Sequence, residues 1–140
     1  MTTLRINDPE DFTTYPNNQV CAIIDTAEYA QKTFSSLLDQ GFKEDDIHIF
    51  SHAEGIKIFD AEAEKHGLFA KIAKKLRAFG DMENDLMKTY ETSMEKGAYI
   101  FEVGVESDEK KKAVDQVFIK NEGHDINYFG SWVVESMEGA

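Results

Sequence analysis

Cysteine occurs once in these 140 residues, at Cys21, and proline twice, at Pro9 and Pro16. A single cysteine excludes an intrachain disulfide framework and points to a reducing compartment. Basic residues are also scarce: 15 against 27 acidic ones leave a net charge of −12, which opposes nucleic-acid binding over a broad surface. No apolar run approaches the roughly 20 residues that crossing a bilayer requires. The opening MTTLRINDPEDF lacks the basic-then-apolar layout of a secretion signal. Nucleophile-elbow, His-Glu-x-x-His, Gly-x-x-x-x-Gly-Lys and Cys-x-x-Cys motifs are missing, so no catalytic set and no cofactor is expected. What is present suits one soluble, cytoplasmic domain, because a chain of this length can bury about two-thirds of its unfolded surface.

Both prolines fall in residues 1–18, which read as an N-terminal arm preceding a single α+β domain at 19–137. Val20 to Ile24 is a continuous apolar run, the mark of a strand covered on both faces. Asp25 and Thr26 offer capping oxygens to a helix with Ala27, Ala30, Phe34, Leu37 and Leu38 on its inner face, ending at Gly41. Ile47 to Ser51 reads as a second strand, with Ile47 and Ile49 on one face and His48 and Phe50 on the other. Residues 52–97 read as a helical insertion holding an antiparallel pair. One helix carries Phe69, Ile72, Leu76 and Phe79; the next, after Gly80 and Asp81, carries Met82, Leu86, Tyr90 and Met94. A third strand is expected at Ala98 to Val105, then a helix capped by Ser107 or Asp108 with Ala113, Val114, Val117 and Phe118 inward, then a last strand from Ile126 to Val134. Gly97 and Gly123 stand where left-handed residues would end helices. This order predicts a ferredoxin-like split βαβ: a four-stranded antiparallel sheet with its helices on one face, the first and third strands central, and a two-helix insertion between strands two and three. A small parallel flavodoxin-like sheet competes, but the first strand is followed by no glycine-rich phosphate loop.

Four histidines, His48, His52, His66 and His124, are the groups that titrate near neutrality and ligate metals. In the expected topology His52, His124 and Asp25 share one end of the sheet, which allows a mononuclear metal site; capping or hydrogen-bonding roles compete with it. Cys21, inside an apolar run, reads as a buried thiol of raised pKa. Five basic side chains against Glu62 and Glu64 make residues 61–80 net +3, between flanks of −7 (1–60) and −8 (81–140). Lys71, Lys74, Lys75 and Arg77 of that segment present an anion-facing helix, or a basic face neutralised by acidic neighbours. The aromatics Tyr128, Phe129 and Trp132 on an open sheet face need a cover, which a second copy in a homodimer, the N-terminal arm or the helix pair would supply.

The residues Ser51-His52-Ala53-Glu54-Gly55, Phe59-Asp60, His66-Gly67, Tyr90-Glu91, Gly97, and Gly123-His124-Asp125-Ile126-Asn127-Tyr128-Phe129-Gly130-Ser131-Trp132 resemble those of small uncharacterised bacterial proteins. These are in turn distantly similar to the YflT-type general stress protein domain. The resemblance spans roughly residues 19–137 and implies an α+β domain tied to bacterial stress responses, with no established reaction. Two functions follow as expectations. One is a non-enzymatic stress-associated or protein-interaction domain that forms homo-oligomers. The other is a small-molecule or anion sensor whose ligand pocket is His66, Tyr90, His124, Tyr128 and Gly130, between the insertion and the last strand. The same five residues would otherwise form a hydrogen-bonded packing cluster.

Overall fold

The computed structural model describes residues 18–66, 72–73, 85–130 and 134–137. The apolar run Val20 to Ile24 lies within strand β1, Gln19–Ile24, and is buried along its whole length. Thr26 Oγ1 then accepts the Tyr29 amide at 3.2 Å and starts helix α1, Ala27–Asp39. Ala27, Ala30, Phe34 and Leu37 form its inner stripe, and Gly41, at φ +99°, turns the chain away. A 3₁₀ turn at Glu44–Asp46 leads into β2, Ile47–Phe50. There follow α2 (Ala53–His66), β3 (Ile72–Ala73), α3 (Asp85–Glu95), β4 (Tyr99–Gly104), α4 (Asp108–Lys120), β5 (His124–Phe129) and β6 (Val134–Ser136). Ser107 caps α4 by accepting the Lys110 amide at 3.2 Å.

The strands form one sheet in the order β3-β2-β4-β1-β5-β6, antiparallel except for the β2–β3 pair. The α+β class holds, but the sheet has six strands where four were expected. β1 and β4 are central as expected, yet β2 and β5 are not edges, because β3 and β6 extend the sheet beyond them. Ile72 and Ala73, expected inside a helix, instead pair with Ile49 and Phe50 and occupy the free backbone edge of β2. The expected final strand from Ile126 to Val134 divides into β5 and β6, which pair as Asn127 with Ser136 and Phe129 with Val134. Gly130 therefore follows a strand and does not lie inside one.

Helices occupy both faces, which corrects the one-faced arrangement. Phe34 and Leu37 of α1, Phe59 of α2 and Val114, Val117 and Phe118 of α4 pack with Val20, Ala22, Ile24, Ile49, Phe101 and Ile126. On the other face Tyr90 and Met94 of α3 pack with Cys21, Ile23, Phe50, Ile100 and Phe129. Each such fully buried side chain contributes about 1.5–3 kcal/mol. The two described helices of the 52–97 stretch, α2 and α3, thus lie on opposite faces of the sheet, while the first helix of the expected antiparallel pair, at 68–79, lies outside the described residues except for Ile72 and Ala73. The left-handed residue after α4 is Glu122, at φ +65°, and not Gly123. Gly123 is required for closeness: a Cβ there would lie 2.8 Å from the Phe118 carbonyl oxygen. The expected arm at residues 1–17, the basic positions Lys71, Lys74, Lys75 and Arg77, and Trp132 lie outside the described residues.

Candidate functional site

Strand alternation and register place four polar or thiol side chains in one row across the α3 face. His48 on β2 opposes Glu102 on β4, Glu102 opposes Cys21 on β1, and Cys21 opposes Asn127 on β5. Gln19 lies two residues from Cys21 on the same face and opposes Gly104. Glu102 is the conspicuous member, because a carboxylate only 7% exposed costs free energy unless it is paired. His48 Nδ1 is 3.8 Å from its Oε1, beyond hydrogen-bond reach. Burial, reinforced by the Glu102 charge, pushes the Cys21 thiol well above its usual pKa. The thiol is therefore protonated at neutral pH and is no nucleophile.

Tyr90 crosses from α3 to join this row to the end of the sheet. Its hydroxyl donates to the Asp125 carbonyl at 2.8 Å, and Asn127 Nδ2 donates to the same carbonyl at 3.1 Å and to the Tyr90 oxygen at 3.3 Å. Burial, with the neighbouring Cys21 next in effect, holds the phenol well above its ordinary range. Asp125 reaches this position through a β-bulge: between the pairs Cys21–Asn127 and Ile23–His124, one β1 residue faces two on β5. Its backbone is left-handed, at φ +52°, a conformation that costs a residue with a Cβ and recurs at functional sites.

The bulge also sets a carboxylate on each side of His124. Nδ1 is 2.8 Å from Asp125 Oδ2, while Nε2 is 3.0 and 3.1 Å from the two oxygens of Asp25 at the end of β1. Partial burial alone would lower the His124 pKa, but the hydrogen bonds from Asp25 and Asp125 outweigh it and the imidazole is raised. When protonated, the ring donates to both acids. The Cys21 thiol and the Tyr90 phenol, both raised, are neutral beside it.

The structure gathers the expected pocket only in part. Tyr90 and His124 meet around Asp125. Tyr128 lies toward the opposite end of β5, packed against the helical face, with its hydroxyl donating to Asn18 Oδ1 at 3.0 Å and Lys111 Nζ 4.2 Å from its ring centroid. Lys111 is held in turn by Glu135 at 3.0 Å. His66 ends α2, whose core residue Phe59 packs on the face opposite Tyr90, and Gly130 is buried just beyond β5. His52 is drawn away from any shared metal site: its Nδ1 accepts the amides of Glu54 and Gly55 and so caps α2. Among the described residues no group of three metal-ligating side chains converges. The sequence reading missed Gln19, His48, Glu102 and Asn127 as one set. The available signal was a lone acid in the apolar strand Ala98 to Val105, with polar residues at matching positions of three other strands.

No protein-family model, curated protein or solved structure matches the chain.

Proposed function

We propose that this chain is a non-enzymatic sensor domain that binds a small molecule on the α3 face of its sheet, and that it serves a bacterial stress response in the cytoplasm. The observation that carries the reading is the row of polar side chains on that face, with the hydrogen-bonded Asp25, His124, Asp125, Tyr90 and Asn127 at one end and the buried Glu102 beyond Cys21. Among the described residues the Glu102 carboxylate has His48 as an ion-pair neighbour and no hydrogen bond, and a ligand with donors would satisfy it. The stress role rests on the resemblance to the YflT-type domain, and the reducing compartment on the free, buried Cys21. The antiparallel order β2-β4-β1-β5 supports reading the inner strands as a ferredoxin-like split βαβ. No helix among the described residues is long and apolar enough to cross a membrane. A thermal-shift screen of metabolites tests the proposal: a raised Tm with at least one compound is expected, and a flat response to every class contradicts it.

A homo-oligomer is the second reading, favoured by β6. All three of its residues are exposed, Val134 by 42%, on a strand at the sheet edge. Light scattering should then show a dimer that Val134→Lys dissociates; a monomer at high concentration would remove this reading.

A further inference from the structure

His124 has a carboxylate on each ring nitrogen: Asp125 Oδ2 lies 2.8 Å from Nδ1, and the two oxygens of Asp25 lie 3.0 and 3.1 Å from Nε2. Only the imidazolium carries a hydrogen on both nitrogens. Loss of one proton leaves a single N–H and turns the other nitrogen's lone pair toward a carboxylate, so one of the two contacts has to open. The cluster then holds two negative charges with no counter-ion, because no lysine or arginine pairs with Asp25 or Asp125 among the described residues. A lysine or arginine in this place would stay charged throughout the neutral range; a histidine holds both acids only while it is protonated.

The ionisable groups around the ring are Asp25 at the end of β1, Asp125 on β5 and, behind Asp125, Tyr90 from α3. Burial holds the phenol above its ordinary range, so His124 is the member of this set that changes charge near neutrality. Partial burial lowers its pKa and the contacts with Asp25 and Asp125 raise it by more, which moves that change to the alkaline side of about 6.5. Asp125 is fixed independently of the ring, since its carbonyl accepts the Tyr90 hydroxyl at 2.8 Å and Asn127 Nδ2 at 3.1 Å within the bulge. Asp25 has no such support. Its side chain is 64% exposed and, among the described residues, bonds to His124 alone, so water replaces the ring there at least cost. The contact that opens is therefore the one to Asp25.

That contact ties distant parts of the chain together. Asp25 immediately precedes Thr26, whose Oγ1 caps α1, while His124 is the first residue of β5 and pairs with Ile23 of β1. Opening it lets the junction of β1 and α1 move away from the start of β5 while Tyr90 keeps its hold on the Asp125 carbonyl. We propose that His124 is a proton-operated latch: charged, it ties the β1–α1 junction to the bulge of β5, and neutral, it releases Asp25 and loosens that end of the sheet. This response to pH needs no ligand and so goes beyond the small-molecule reading.

The test is an NMR titration of the full chain without ligand, from about pH 5.5 to 9, with the His124 ring signal assigned by its loss in His124→Gln. The amide signals of Asp25, Thr26 and Tyr29 should move with the midpoint of the ring. Hydrogen-exchange protection of the Ile23, Ile24 and His124 amides, taken relative to the unstructured-chain rate at each pH, should drop about 2- to 5-fold on the alkaline side, the worth of one partly exposed ion pair. That of Phe101 and Val117, away from the latch, should stay constant. Asp25→Asn should lower the ring midpoint by roughly half a unit and flatten the pH dependence of protection. If His124→Gln fails to fold, Asp25→Asn, at an exposed carboxylate, carries the test and assigns the ring by its shift. A ring that titrates while protection stays flat is a simple surface ion pair and overturns the latch, and so does a midpoint that Asp25→Asn leaves in place. Either result leaves the small-molecule reading standing, and a flat thermal-shift screen leaves the latch standing.

Discussion

Gly55 lies in the first turn of α2, where an added Cβ would fall 3.2 Å from Ser51 Cβ, closer still to Ser51 Oγ, and 3.3 Å from the Gly97 carbonyl oxygen. Its own carbonyl accepts the Tyr99 hydroxyl at 2.6 Å, and Ser51 Oγ donates to the Ala98 carbonyl at 2.9 Å. The Ser51-His52-x-x-Gly55 cluster is thus a helix-start device. Gly55→Ala should destabilise the fold by about 1–3 kcal/mol in urea denaturation, through overpacking. His52→Ala should cost about 1 kcal/mol through loss of the cap, and His52→Asn should restore most of it. His124 gives a pH signature of definite sign. Because its pKa is raised in the folded chain, its contribution is complete below the unfolded value of about 6.5 and fades as pH rises through the folded value. Tm measured from pH 6 to 8 should fall in the native chain and fall less in His124→Gln. Equal slopes would show that the Asp25 and Asp125 contacts do not persist in solution.

At the level of elements, β1, α1 and α4 were legible because local signals agreed: a continuous apolar run in β1, three- and four-residue spacing and a capping hydroxyl in both helices, and a terminating glycine after α1. β3 was not, because two residues carry no period and Ile72 also fits a helical stripe; what fixes it is the unpaired edge of β2, a long-range fact. The bulge at Asp125 was equally hidden, since it depends on register against β1. Half of the candidate site followed the same divide. Tyr90 and His124 stood out as residue types, whereas Glu102 and Gln19 acquire meaning only when strands from distant parts of the chain align. Helix α3 is anchored by Tyr90 and Met94. Tyr90→Phe should cost about 0.5–1.5 kcal/mol, the net worth of one hydrogen bond, because the Asp125 carbonyl keeps Asn127 as a donor. Met94→Ala should cost about 2–5 kcal/mol by leaving a cavity.

Across the whole molecule, the acidic surplus makes the folded state repel itself, so added salt should raise Tm between about 0.01 and 0.3 M sodium chloride, as the screening length shortens. On the sheet face beside α3, Glu102 has no hydrogen bond among the described residues, and a small molecule bound there would supply donors. The most direct measurement of this account is an amide ¹H–¹⁵N correlation spectrum recorded while the metabolite that most raises Tm in the thermal-shift screen is added to saturation. Binding on the α3 face should move the signals of Gln19, Cys21, Glu102 and Gly104 together along one saturation curve, and Glu102→Gln should abolish that curve. Shifts spread over exposed acids such as Glu28 and Glu109, rising linearly without saturation, would contradict it.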